Sequence, residues 1–376
     1  MGLETVWFCL IGVLWAGYFL LEGFDFGVGM LLPALPRNER ERSKMFDSIG
    51  PVWDGNEVWL VVAAGATFAA FPAWYATMFS GFYLALLLLL VLLIVRVVSF
   101  EWREKHEGAL WRATWAWANT IGSVGAAFVW GVVLANLVHG VPLDPSHGFA
   151  GDFFDLFSAY TVVAGVAVVV LFAVHGAMYL TLRTEGDFSD RASAAARRLS
   201  VPAAILGIGI VAWTVVIAHD NNSRAILPTA IPAALTTIVL VLGVILTRTG
   251  RNGWAFAATG LGAIGFVATI FTGLYPRVLV SDPVFANSLT ISNAASGEYA
   301  LRVITIVAAI FVPLVLLYQG WTYYVFRRRL GGDEVGTPAG AVGDRGRDAE
   351  RAIDRQQRPR GPRSAQQARV QRAHRG

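Results

Sequence analysis

From Val58 to Val95 the chain runs 38 residues without a single Asp, Glu, Lys or Arg. A helix crosses the hydrocarbon of a bilayer in roughly 20 apolar residues. The run is therefore too long for one crossing and long enough for two, and Pro72 between Phe71 and Trp74 marks the turn. In lipid every backbone N–H and C=O must be satisfied within the chain, so repeated apolar runs of this length predict helices. The whole chain is 55% hydrophobic and only 15% charged. That composition excludes an ordinary soluble domain.

The same criterion predicts nine spans, at about 5–33, 55–72, 79–99, 113–138, 157–182, 199–219, 226–247, 253–275 and 302–326. The class is all-α and polytopic. The start of the chain lacks a basic region before its apolar run, so it reads as membrane sequence and not as a cleaved signal. The single Cys9 excludes an internal disulfide and a cysteine-rich metal site.

Charge fixes the expected orientation. Residues 1–330 hold 20 Lys and Arg against 20 Asp and Glu, and the surplus of positive charge lies in residues 331–376. Alternate loops carry the cations: Arg37, Arg40, Arg42 and Lys44; Arg103, Lys105 and Arg112; Arg183, Arg191, Arg197 and Arg198; Arg248 and Arg251; then Arg327, Arg328 and Arg329. The loops between them hold Arg224, Arg277 and Arg302 with Asp144, Asp152 and Asp155. Basic loops stay in the cytoplasm, so the N-terminus is expected outside and the C-terminus inside. The membrane domain is residues 1–330. Residues 331–376, rich in Gly, Pro, Gln and Arg without apolar periodicity, read as a disordered cytoplasmic tail that is solvated and binds no nucleic acid.

Acids gather where three spans meet the inner face. The first span carries Glu22 and Asp25 near its inner end, the second begins with Asp54 and Glu57, and the third ends with Arg96 and Glu101. The opposite halves of these spans are nearly free of ionisable groups, a half-channel pattern open to one side. Ionisable groups inside a membrane are costly and mark function. Each has a plainer reading. Asp54 suits a helix N-cap, since Asn and Asp cap alike. Glu57 suits a partner for the helix dipole. Arg96 is either a snorkelling residue or the counter-ion of Asp25. Glu22 and Asp25, flanked by Leu20, Leu21, Phe24 and Phe26, have the least reason to be there structurally. Gly23, Gly27 and Gly29 permit close helix approach around them. Trp53 and Trp59 read as interfacial anchors, or as contacts to a quinone or a partner subunit. His175 and His219 sit in separate spans with no matching histidine at equal depth, so they read as packing residues. No phosphate loop, dinucleotide fingerprint or Ser–His–Asp order is present.

Three stretches together, LEGFDFGVGM (21–30), PVWDGNEVWL (51–60) and RVVSFEWREK (96–105), closely resemble subunit II of the cytochrome bd-type quinol oxidases. The likeness continues through RNERERSKMFDSIG (37–50), SGFYLALLLLL (80–90), ANLVHG (135–140), GAMYLTLRT (176–184), FANSLTI (285–291) and VPLVLLYQGWTYYVF (312–326). It ends before the Arg-rich tail.

The resemblance implies a nine-span subunit of two four-helix bundles plus one peripheral helix, in the bacterial cytoplasmic membrane. It implies a partner, subunit I, which holds haems b558, b595 and d and the quinol site. Subunit II carries no haem in that family and has no activity alone; some members hold a structural quinone. Transferred by motif, the family's proton-uptake aspartate falls on Asp54, the deeper acidic pair on Glu22 and Asp25, and the acid after the third span on Glu101. Glu57 falls where relatives tolerate an amide. The complex would oxidise a quinol, menaquinol by the high-GC composition, reduce O2 to water, and have room for small accessory subunits. A proton-coupled secondary transporter is the competing class, suggested by Pro228 and Pro232 and by Gly260, Gly262 and Gly265. A purely structural membrane subunit is a third.

Overall fold

The computed structural model describes residues 2–222 and 226–330. Eleven helices run in chain order: α1 (Leu3–Leu31), α2 (Glu39–Ile49), α3 (Trp53–Ala70), α4 (Pro72–Gly81), α5 (Tyr83–Trp102), α6 (Ala109–His139), α7 (Ala159–Arg183), α8 (Gly186–Asn222), α9 (Leu227–Arg248), α10 (Asn252–Leu274) and α11 (Glu298–Val325). A small antiparallel pair, β1 (Arg277–Leu279) and β2 (Leu289–Thr290), sits between α10 and α11. Among the described residues eight helices are long and apolar enough to cross a membrane: α1, α5 with its short 3-10 extension, and α6 to α11. The stretch 55–72, expected as the second of nine spans, falls on α3, 18 residues with Asp54 and Glu57 near its start, which is not among these eight. At 1.5 Å per residue it measures about 27 Å.

Three boundaries differ from the expectation, each for a local reason. Pro72 does break the run, but it then occupies the first position of α4, where its missing N–H costs nothing. The loop after α1 is largely a helix, α2, capped by the Asn38 side chain accepting from Glu41 N–H at 3.0 Å. The sixth span begins at Gly186 and not near 199, giving a helix of 37 residues. Its first turns carry Asp187 and Arg191. They pair with α2 and the turn before it: Arg191 reaches Glu41 Oε2 at 2.6 Å, and Arg37, ahead of α2, reaches Asp187 Oδ2 at 2.9 Å.

The long helices pack in two groups. In one, α1 lies against α3 and α6, and α5 against α6; in the other, α7, α8, α9 and α10 pack in sequence, with α10 closing on α7. α1 bridges the groups through α7 and α10. Lipid gives helices no hydrophobic reason to associate, so close packing of small residues takes over. At the α1–α7 crossing a β-carbon on Gly27 would come within 1.9 Å of the Phe172 carbonyl oxygen and 2.7 Å of Gly176 N. The two backbones touch there, and only glycine fits.

α11 stands apart. It packs on α3 and α1, and Leu301 is its one buried residue. Polar pins hold it: Trp7 Nε1 donates to Thr305 Oγ1 at 2.9 Å, Trp59 Nε1 to Gln319 Oε1 at 2.8 Å, and Tyr323 OH to Asn56 Oδ1 at 2.7 Å. The expectations for the tail fall on residues 331–376, outside the described residues.

Candidate proton-relay site

Glu22 and Asp25 are three residues apart on α1, hence on one helix side, and both are completely buried. Across from them on α5, Arg96 is also completely buried. Arg96 Nη1 lies 2.6 Å from Glu22 Oε1 and 3.8 Å from Glu57 Oε2. The nearer contact is an ion pair by distance but lacks the angle of a good hydrogen bond, and neither Glu22 oxygen has another partner. The Arg96 guanidinium also sits 4.7 Å from the Phe26 ring centre and 5.7 Å from that of Phe100. Cation–π attraction replaces part of its lost hydration. One guanidinium thus faces three carboxyl groups in a site closed to solvent on nearly every side. Full ionisation would leave two uncompensated negative charges.

Snorkelling is excluded for Arg96, because its side chain has no exposure. Its partner is Glu22, where the sequence suggested Asp25. Asp25 is served instead by an amide: Asn56 Nδ2 donates to Asp25 Oδ2 at 2.7 Å. Asn56 is completely buried at the start of α3, and the opening turn of that helix turns it inward while leaving its neighbours Asp54 and Gly55 exposed.

Asp54 does not cap α3. Val52 holds the cap position without a side-chain hydrogen bond, and Asp54 is the second helical residue. The reason is the turn before it: Val52 N–H bonds Ile49 O at 2.9 Å, and the helix starts two residues earlier than an Asp54 cap requires. Asp54 is therefore an exposed carboxylate beside the buried group. Glu57 is part-buried and bridges the two environments. Glu101 is exposed, five residues beyond Arg96 and on a different side of α5; it is not brought to the cluster.

The two tryptophans are engaged inside the chain. Trp53 stacks on Phe100 with ring centres 5.2 Å apart and planes 8° from parallel. Trp59 lies over Gly17 and donates to Gln319. His175 Nε2 faces Leu20 O at 3.0 Å and its Nδ1 faces Thr259 Oγ1 at 2.7 Å. Both ring nitrogens are taken by hydrogen bonds, and among the described residues no group of three or more His, Cys, Asp or Glu is placed to hold a metal ion.

Asn56, Gln319 and Tyr323 were missed by reading for ionisable groups. The signal available was Gln319, the one side-chain amide in the stretch 302–326. Asp47 was missed too. It lies on α2, outside the spans, and partial burial with the Glu104 charge nearby, offset by Arg103, raises it from 3.8 to about 6. Arg103 itself is buried. It bonds Glu39, Glu104 and Ser43, and stacks 4.7 Å from the Phe46 ring, which anchors α2 to the end of α5.

These features define a multi-pass helical membrane protein with an acidic cluster buried at one end of its first helix group. The family model for cytochrome bd terminal oxidase subunit II matches residues 3–326. The chain is 40% identical over 331 residues to the Bacillus subtilis cytochrome bd ubiquinol oxidase subunit 2, covering 88% of this chain and 97% of that one. It is 35% identical over 367 residues to the Escherichia coli K12 cytochrome bd-I ubiquinol oxidase subunit 2, covering 89% and 96%. Its fold matches a chain of the bd oxidase from Geobacillus thermodenitrificans with a TM-score of 0.67 at 21% identity, covering 86% of this chain and 97% of that chain. The chain belongs to the cytochrome bd terminal oxidase subunit II family, and it is a multi-pass protein of the bacterial inner membrane.

Proposed function

We propose that this chain is the haem-free subunit of a quinol:O2 oxidoreductase, and that it supports the haem-bearing subunit I while carrying protons inward from the cytoplasm. This reading counts α3 as the second of nine spans, beside the eight helices long and apolar enough to cross, and takes the Arg-rich loops as the inner side, with the N-terminus outside. The haems b558, b595 and d belong to the partner. Electrons from quinol, menaquinol on composition, reach O2 there. Each O2 reduced to two waters takes up four electrons and four protons. If quinol releases its protons outside and the consumed protons come from inside, charge is separated without a pump.

The observation that carries the reading is the sequence of environments from Asp54, exposed, through Glu57, part-buried, to Glu22 and Asp25, fully buried beside Arg96. Carboxyl groups in graded burial with a nearby cation can pass a proton between them. Apart from Glu4 in the first turn of α1, the halves of α1, α3 and α5 distant from this cluster carry no Asp, Glu, Lys or Arg, which favours a one-sided path, as oxidase chemistry needs and alternating transport does not. A structural quinone has a suitable place in a cavity of about 350 Å³ lined by Leu20, Leu21, Phe24, Tyr179, Phe256 and Tyr323. Small accessory subunits and lipid have the exposed apolar faces of α9 and α11 to meet.

The test is oxygen consumption and proton uptake by the assembled complex in proteoliposomes. Asp54→Asn cannot disturb a cap, because Asp54 makes none, so any loss of turnover reports its ionisation. Slower proton uptake with normal haem content and unchanged quinol KM is expected, with partial recovery in Asp54→Glu. Full activity in Asp54→Asn and in Glu22→Gln would overturn the proton path.

A further inference from the structure

Asn56 lies at the meeting point of three helices, and the hydrogen bonds around it have a single consistent direction. The Trp59 indole N–H can only donate, and it donates to Gln319 Oε1 at 2.8 Å. That fixes the Gln319 amide, so its Nε2 faces α3, donating to Asn56 Oδ1 at 3.2 Å and to Gly55 O at 3.4 Å. Asn56 Oδ1 is therefore the accepting end, and it accepts from Tyr323 OH at 2.7 Å as well. Asn56 Nδ2 is left to donate to Asp25 Oδ2 at 2.7 Å and to Leu21 O at 3.5 Å. Reversing Asn56 would set its oxygen against the Asp25 carboxylate and the Leu21 carbonyl, and its N–H groups against the Gln319 N–H. Amide orientation is a matter of network consistency, and here one indole dictates it two groups away.

We infer that Asn56, held by Gln319 and Tyr323 of α11, is the positioning residue of Asp25: it keeps Oδ2 as a permanent acceptor and leaves Oδ1 as the oxygen that gains and loses a proton. Oδ1 is buried and, among the described residues, has no hydrogen-bond partner, so it is the oxygen left open to carry the proton. Gln319 and Tyr323 are four residues apart, so they share one side of α11. That side is turned to the acid cluster, although α11 is otherwise hardly buried. The peripheral helix is thus part of the relay through its hydrogen bonds and not through a carboxylate or a cation. The inference rests on the proposed proton path for its functional meaning, but its geometry can be tested separately.

The experiment uses the assembled complex with four variants: Asp25→Asn, Asn56→Leu, Tyr323→Phe and Tyr323→Leu. The infrared difference band of Asp25 is assigned by its loss in Asp25→Asn. Removing the amide donor in Asn56→Leu should move that band to higher wavenumber. Tyr323→Phe keeps the ring and its packing and removes one support of Asn56, so it should move the band part-way and lower kcat by about tenfold, with quinol KM unchanged. Tyr323→Leu should behave like Tyr323→Phe, since the hydroxyl and not the ring acts on Asn56. If Asn56→Leu fails to assemble, Tyr323→Phe decides. An Asp25 band unmoved in Tyr323→Phe overturns the inference whatever the turnover. Full turnover in Asp25→Asn with a shifted band would instead overturn the proton path and leave the positioning intact.

Discussion

Glu22 and Arg96 meet at 2.6 Å across the α1–α5 gap with neither side chain reaching solvent. Such a pair is held by mutual need more than by net attraction, because both charges have lost their water. Removing one partner strands the other, at a typical cost of about 3–5 kcal/mol. Arg96→Leu should therefore lower the yield and melting temperature of the assembled complex. The double variant Arg96→Leu with Glu22→Leu should recover much of both, which thermal melting of the purified complex measures. Equal damage in the single and double variants would mean that Arg96 is needed for shape alone.

Glu57 and Glu101 should separate sharply. Glu57 stands 3.8 Å from Arg96, whereas Glu101 is exposed on another side of α5. Glu57→Gln is expected to slow proton uptake several-fold at normal assembly. Glu101→Gln should stay within about twofold of the parent, as a surface charge change does. Proton uptake in proteoliposomes at constant ionic strength checks both, and a severe Glu101→Gln defect would restore that residue to the path.

The helices were legible in the sequence because apolar runs of fixed length allow little else in lipid. The acidic residues Glu22, Asp25 and Glu57 and the cation Arg96 were legible because charge in such runs is conspicuous. Which groups pair was not. Whether Arg96 meets Glu22 or Asp25 depends on the rotation of α5 about its axis, set by packing of small residues that no single helix reveals. α2 and the early start of α8 were hidden by the assumption that charged stretches are loops; Asn38 ahead of Glu41 was the overlooked cap. The Asn56, Gln319 and Tyr323 network was illegible because uncharged polar residues 260 positions apart carry no mark of their meeting until α11 is placed against α3.

The α1–α7 crossing makes a strong prediction about small residues. Gly27→Ala would drive a methyl group to 1.9 Å from the Phe172 carbonyl oxygen, against backbone that cannot turn away. Accumulation of the complex should fall drastically. Gly209, on α8, has nothing within 4 Å of its missing side chain. Gly209→Ala should be neutral or stabilise by up to about 1 kcal/mol through helix propensity. Membrane levels of the two variants, with haem content of the purified complex, give the comparison.

Asp47, on α2, predicts a pH dependence of stability. Its folded value of about 6 lies above the ordinary 3.8, so the folded state prefers the protonated form. Its contribution to stability is full below about pH 4 and is lost as pH rises through about 6. Asp47→Asn removes that loss. The variant should melt higher than the parent at about pH 8, and the difference should vanish near pH 4. A constant difference across that range would show that the amide acts through packing.

α11 is the last described helix to leave the ribosome, and Leu301 is its one buried side chain. Until it inserts, the amide opposite Asp25 has no anchor, and the Trp59 indole has no acceptor on Gln319. The order of synthesis thus delays completion of the acid cluster until every other described helix has been made. A truncated or stalled chain would therefore carry Glu22, Asp25 and Glu57 into the membrane with Asn56 unsupported from α11, so a missing last helix would be felt at a carboxyl group on the first.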